Sequence, residues 1–434
     1  MNKTLQKGKT LLVDGPASIN ISSGTAEVFG AVLKEGKNVL VRSGKRLPFE
    51  AKTNLTVNIM LGEGASIDEA EGSTIPDTWN NIPEEILTLE TPAPIIMILG
   101  GVDSGKTSLC TYLCNKLLNA DKQVAIVDGD LGQSDIGPPS TIGYTVIKRP
   151  IIDIFNAKAE NCYFIGFTTP SKARNKVIQR LTEIKNEISK SSVNYIIVNT
   201  DGWIDGEEAI EYKVRLIEEL NADLVIGIEQ NETLTPILEK VKPRKAMVCK
   251  PSKFIKKRDR AQRKLLRELS YKKYLKNAKV RSLPLSWVTI KGAPLTFTNS
   301  YRNIQQIKEL QRALDVKVFH FEESRDKISI VIGRNKWIDE ERLLKFEEKT
   351  RKKLEILREG FEEGLLVALE DSQNNFLGIG VIRGVNYKRK TIRVYTPVTS
   401  EISTVHVGQV RLDKELKEVI SPPFLTNYEV QKTV

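Results

Sequence analysis

Residues Gly100 to Ser108 fit the pattern G-x-x-x-x-G-K-[ST], and this short run constrains the chain more than any other. The pattern binds phosphate only when a buried strand delivers the glycine loop and a helix leaves it. Both flanks are present. Pro94 to Leu99 is an apolar run that predicts a buried parallel strand. Ser108 to Leu118 carries Leu109, Leu113 and Leu117 on one helical stripe. In such a loop the backbone N–H groups turn inward and the helix adds its positive end. Gly101, Val102, Asp103, Ser104, Gly105, Lys106, Thr107 and Ser108 are therefore the residues expected to wrap the phosphates, with Gly101 and Gly105 allowing close approach. Lys106 would reach the β- and γ-phosphates, and Thr107 would hold Mg²⁺. The pattern implies a site for ATP or another nucleoside triphosphate, with Mg²⁺ or another divalent cation.

A chain of 434 residues exceeds one hydrophobic core and suits about three domains. No apolar run approaches the ~20 residues of a membrane span, and the N-terminus has no signal-like apolar stretch, so the expectation is a cytoplasmic protein without a membrane partner. Cys110, Cys114, Cys162 and Cys249 form no CxxC pair, and only His320 and His406 accompany them, which argues against zinc.

Three patterns follow one another. Residues 1–90 alternate short strand-like runs with turn formers, as a small β sandwich or open barrel would; nothing there is catalytic by residue type. Residues 91–282 alternate strand and helix. Gln123 to Val127 reads as a strand ending in Asp128 and Asp130, and Asn194 to Val198 as one opening into Asp201 and Trp203. Acids at the carboxyl end of a strand beside a phosphate loop are placed to meet Mg²⁺ or an attacking group. Residues 283–434 predict an α+β or barrel-like domain, with Ile338 to Phe361 as a charged helical stretch. The expected fold class is α/β: a central P-loop NTPase domain with a mostly parallel sheet, flanked by these two smaller domains.

The net charge of +11 is concentrated in one place. From Lys242 to Arg281 there are 17 Lys and Arg against two acids, so the remainder is slightly acidic. Phe254 to Leu275 predicts a helix with an apolar side. A solvated basic face is the plain reading, but the acids that usually balance one are missing. Arginines beside a phosphate site can neutralise a transferring phosphoryl group or an RNA backbone. On one continuous helix Arg258 and Arg263 would point about 140° apart, so the helix is expected to begin near them or the segment to move when nucleotide binds.

In this order the motifs resemble the polynucleotide 5′-hydroxyl kinases, a family that includes the RNA-kinase subunit of the eukaryotic pre-mRNA cleavage complex and archaeal relatives. Gly24 to Gly30 looks like that family's N-terminal signature, and Asp103 to Thr107 like its P-loop. Asp130 to Gln133 matches its D-x-G-Q segment, and Thr169-Pro170 its clasp on the substrate strand. Asn199 to Trp203 matches its N-T-x-G-W segment, and Arg258 with Arg263 its lid arginines. The resemblance implies transfer of the γ-phosphate of ATP, or another NTP, to 5′-OH ends of RNA and often DNA, in company with RNA-processing proteins. It places the nucleotide base partly against the N-terminal domain. It gives Lys106, Asp130, Gln133, Arg258 and Arg263 catalytic roles, and Thr169, Pro170 and Trp203 contacts with the substrate strand.

Asp130 could accept the proton of the 5′-OH or hold Mg²⁺ through water, Gln133 could orient either group, and Asp128 and Asp201 are rival acids. Trp203 could be a core residue rather than a stacking platform. Two other functions fit parts of the pattern. One is a nucleotide-binding scaffold without transfer, and the other an ATPase that moves on nucleic acid.

Overall fold

The strand before the phosphate loop is an inner strand, fifth in order, of a seven-stranded sheet. The computed structural model describes residues 1–292 and 304–419. In sheet order the strands are Asn161–Phe164, Thr141–Ile147, Val124–Asp128, Tyr195–Asn199, Ile95–Gly100, Leu224–Ile228 and Lys245–Cys249. The last five are mutually parallel, whereas Thr141–Ile147 is antiparallel to both its neighbours. Both faces are covered, so the inner strands are apolar without alternation. Ile96, Ile98, Ile126 and Ile197 face the P-loop helix, Lys106–Asn119, through Leu109, Leu113 and Leu117. Met97, Leu99, Val127 and Val198 face the helices Arg174–Ile188 and Glu207–Leu220. Asp128 is paired in register with Asn199. That alignment brings the segments after both strands to the edge where the phosphate loop begins.

Residues 1–71 form a sandwich of a four-stranded and a five-stranded antiparallel sheet. Its edge strand Ser66–Glu71 buries only Ala70 well, which is why its sequence carries little strand signal. The proline-rich connection after it contains two short helices, Asp77–Asn80 and Ile82–Leu87, and buries Trp79, whose Nε1 donates to the Lys250 carbonyl at 3.0 Å.

The chain divides into two compact units, Met1–Arg267 and Glu268–Val434. The second contains a mainly antiparallel sheet, in which Lys279–Pro284, Thr391–Thr396, Phe376–Asn386, Leu365–Glu370, Thr404–Leu412 and Thr289–Lys291 follow one another. It also contains a three-stranded sheet, Val318–Glu323, Lys327–Ile332 and Lys353–Arg358, with the helices Ile304–Leu314 and Glu340–Thr350. The expected helical stretch Ile338 to Phe361 is thus corrected. The helix stops at Arg351, which is left-handed at φ 53°, and Lys353–Arg358 is a strand burying Leu354 and Ile356 alternately. The charged residues between them concealed the change of period.

The basic helix is also shorter than the predicted Phe254 to Leu275. It runs Arg260–Tyr274, so Arg258 lies before it and Arg263 in its first turn. Among the described residues no helix is long and apolar enough to cross a membrane.

Candidate active site

Two glycines shape the phosphate loop. Gly100 has φ +156° and a Cβ there would meet Ser104 Oγ at 2.5 Å; Gly105 has φ +100° and a Cβ would meet Ile255 at 2.9 Å. At Gly101 a Cβ would meet only Ile204, at 3.6 Å, so close packing is demanded at Gly100 instead. The loop closes onto the first turn of Lys106–Asn119, where no side chain caps the helix. Free N–H groups at such an end favour an anion.

Lys106 is buried, and its Nζ donates to the carbonyls of Gly100 and Gly101 at 2.9 and 2.7 Å. Burial lowers its pKa, while Asp130 acts in the opposite sense. Asp130 Oδ1 accepts from the backbone N–H of Gly132 and Gln133, both at 3.0 Å, which leaves Oδ2 without a hydrogen bond among the described residues. Burial raises the pKa of Asp130 against the pull of Lys106. Asp128 is deeper. It accepts from Asn199 Nδ2 at 3.0 Å and from the N–H of Asp135 at 2.6 Å. Burial, then Asp135 and Asp130, push it up to about 7. Asn199 Nδ2 also reaches Thr107 Oγ1 at 3.4 Å.

The lid arginines meet on one carboxylate. Asp103, left-handed at φ 55°, accepts from the Arg258 backbone N–H at 2.9 Å, Arg258 Nη1 at 3.3 Å and Arg263 Nη1 at 3.4 Å. Arg258 Nε and Nη2 both donate to the Gly44 carbonyl, at 3.2 and 2.7 Å. Arg263 Nη1 also donates to the Arg258 carbonyl at 2.5 Å, and Gln133 Nε2 reaches the Arg263 carbonyl at 3.1 Å. Gln133 therefore ties the Asp130 segment to the lid.

The strand-contacting candidates border this cluster. A Cβ on Gly132 would lie 3.0 Å from the Thr168 carbonyl, next to exposed Thr169 and buried Pro170. A Cβ on Gly202 would lie 2.7 Å from Val102, which sets the Trp203 segment against the phosphate loop. Trp203 is half-buried and stacks on Tyr212 at 5.8 Å. Asp201 is committed elsewhere: it accepts from Lys213 Nζ at 2.8 Å, Tyr212 Oη at 3.1 Å and the Trp203 N–H at 2.9 Å. Lys213 is wholly buried. Removing one partner of a buried ion pair strands the other, so Lys213→Met is expected to lower unfolding free energy by about 3–5 kcal/mol. Urea denaturation checks this; an unchanged midpoint would disprove it.

A cavity of about 170 Å³ is lined by the phosphate loop, Asp130, Gln133 and Arg258. The N-terminal sandwich lends it Leu12, Phe29, Pro48 and the cations Arg42, Lys45 and Arg46. Nothing in the sequence marks these cations, since a basic turn at Ser43-Gly44 looks like any surface turn. Arg42 donates to Asp135 at 2.5 Å and to Asp153 at 2.7 Å, and so fastens the sandwich beside the Asp128 segment.

Ser104 Oγ and Asn199 Oδ1 are buried without hydrogen-bond partners. Among the described residues no three His, Cys, Asp or Glu side chains form a metal cluster. Hydroxyl, amide and carboxylate oxygens nonetheless surround the loop. That donor set fits a hard divalent cation sharing its shell with water and phosphate.

Residues 100–277 match the family model described as the mRNA cleavage and polyadenylation factor CLP1 P-loop. The polyribonucleotide 5′-hydroxyl-kinase of Pyrococcus furiosus is 29% identical over 80% of this chain and 95% of its own. The protein of that name from Methanocaldococcus jannaschii is 29% identical over 75% of this chain and 88% of its own. A solved structure of wild-type Clp1p in complex with Pcf11p superposes with a TM-score of 0.65 at 15% identity, over 95% of this chain and 97% of that one, a likeness of fold. The matched segment holds the phosphate loop, Asp130, Gln133, Trp203 and both lid arginines, and the chain is similar there to the CLP1 P-loop family and, over most of its length, to archaeal proteins named polyribonucleotide 5′-hydroxyl-kinase.

Proposed function

We propose that the protein transfers the γ-phosphoryl group of ATP, or another nucleoside triphosphate, to the 5′-hydroxyl of an RNA strand. The observation that carries this reading is the meeting of both lid arginines with Asp103 of the phosphate loop, next to Lys106 and Asp130. Phosphoryl transfer needs positioning and charge stabilisation around the γ-phosphate, and few residue types besides these supply it.

The loop N–H groups and Lys106 bind the β- and γ-phosphates. Leu12, Phe29 and Pro48 offer the base an apolar wall. Thr107 and Asp130 would hold the divalent cation, which neutralises charge on the phosphates when bound. The 5′-oxygen attacks phosphorus, the bond to the nucleoside diphosphate breaks, and the hydroxyl proton leaves towards Asp130. Among the described residues Oδ2 of Asp130 accepts no hydrogen bond, which leaves it for the proton. Its burial raises the carboxylate's proton affinity, which suits an acceptor.

The test follows the label of γ-³²P-ATP in the presence of a 5′-OH oligoribonucleotide. Labelled oligonucleotide is the expected product. Free phosphate alone would point to a motor ATPase, and neither product to a nucleotide-bound scaffold. The same assay with a 5′-OH DNA strand decides whether DNA is also an acceptor, and a pull-down with RNA-processing proteins reports on partners.

Trp203 is proposed to stack on the substrate strand with the ring face that Tyr212 leaves open. Trp203→Ala should raise KM for the oligonucleotide roughly 5- to 150-fold, the equivalent of about 1–3 kcal/mol, with little change in KM for ATP. An equal rise in both, or loss of the circular dichroism spectrum, would return Trp203 to the core.

A further inference from the structure

We propose that the C-terminal unit carries a second nucleic-acid surface, a platform of rings and unpaired cations that takes single-stranded RNA. The proposal rests on the reading of the protein as an RNA kinase for its choice of polymer.

The platform lies at one end of the three-stranded sheet. Val318, Ile332 and Arg358 are neighbours in one row across its strands. Lys317 and Phe319 flank the first of them, and the second continues through Gly333 to Lys336 and Trp337. A Cβ on Gly333 would lie 3.2 Å from Lys336 and 3.9 Å from Phe319, so these groups are contiguous. Arg358 lies over the Trp337 ring at 4.1 Å, and Lys317 over the Phe319 ring at 5.7 Å. Trp337 is 54% exposed. Phe319 stacks on Tyr387 at 5.9 Å with 17° between the planes. Tyr387 opens the hairpin turn between Phe376–Asn386 and Thr391–Thr396, and that turn exposes Lys388, Arg389 and Lys390.

The plain alternative is a solvated charged face. Such a face pairs its cations with acids, as this unit does elsewhere: Lys345 with Glu341 at 2.6 Å, Lys352 with Glu323 at 2.7 Å and Lys327 with Glu355 at 2.9 Å. In the loop after Ile332, Arg334 is likewise tied to Glu363. Among the described residues Lys317, Lys336, Arg358, Lys388 and Arg389 have no carboxylate partner, although Asp339 and Glu359 are close in sequence. Unpaired cations interleaved with part-exposed rings match a polymer of phosphates and bases, since stacking tolerates any base and the cations follow the backbone. An acidic peptide would satisfy the cations and leave the rings unused.

The experiment uses the full chain and a fluorescent 20-nucleotide oligouridylate already phosphorylated at its 5′ end, which cannot accept a phosphoryl group. Anisotropy is followed across a salt series. The double variant Lys388→Glu, Arg389→Glu, on an exposed turn, is expected to weaken binding about tenfold or more and to flatten the salt slope by about 1.4, because each lost phosphate contact removes about 0.7. Trp337→Ala should weaken binding with the slope retained. Transfer to a five-nucleotide 5′-OH acceptor should be unchanged in the double variant. Wild-type affinity and slope in the double variant would overturn the proposal, as would equal binding of a polyaspartate peptide. If the wild type transfers nothing to any acceptor yet the anisotropy differences appear, the surface stands and the kinase reading fails.

Discussion

Lys106→Ala is expected to abolish measurable transfer, with kcat lower by about 10²–10³-fold or more, the effect of removing a preorganised charge from a phosphoryl-transfer site. Lys106 Nζ rests on two loop carbonyls of its own chain, and burial already disfavours its charged form. The folded protein therefore loses little when the amine goes, and a melting temperature within a few degrees of wild type is expected. The loop N–H groups remain, so nucleotide should still bind, more weakly. Labelled-product formation at saturating ATP, read beside thermal melting, separates chemistry from folding. A variant that keeps most of the wild-type turnover would show that the loop holds something other than the transferred phosphate.

The second large effect is expected at Arg263. Both lid arginines touch Asp103, but their remaining donors differ. Arg258 spends Nε, Nη1 and Nη2 on Asp103 and Gly44 and binds Asp103 again through its backbone. Arg263 uses Nη1 alone, and among the described residues its Nε and Nη2 have no hydrogen-bond partner. Arg258 is accordingly proposed to pin the lid, and Arg263 to reach the transferring group as an arginine finger within the chain. A finger is worth about 10³-fold or more in kcat, and a lysine point charge replaces its planar fork poorly. Arg263→Lys should lower the single-turnover rate to that extent while ATP affinity changes only a few-fold. Arg258→Lys should cost about tenfold, an effect of positioning. Near-normal rates in both, with only the salt dependence altered, would reduce the lid to an RNA-binding surface.

What the sequence determined by itself was the local part of this protein. The phosphate loop, its strand and its helix are legible because one motif needs both flanks and both are contiguous with it. The strands expected at Gln123 to Val127 and Asn194 to Val198 are found one residue later, at Val124–Asp128 and Tyr195–Asn199, because one apolar run spans each. The angle between Arg258 and Arg263 on an ideal helix predicts either a helix that begins near them or a segment that moves, and the helix begins at Arg260. Tertiary structure decided which charges meet. Arg42 joins Asp153 across 111 positions and Arg263 joins Asp103 across 160, and no local pattern distinguishes these residues from other surface charges. In the sequence Asp201 is a rival acid to Asp130, whereas in the fold Lys213, on the next helix, claims it. Lys317, Trp337, Arg358 and Arg389 likewise belong to separate, unremarkable segments. They become one surface only because strand register and a hairpin turn bring them together. Backbone periodicity is written residue by residue, whereas the partner of a charge is fixed by packing between segments far apart in the chain.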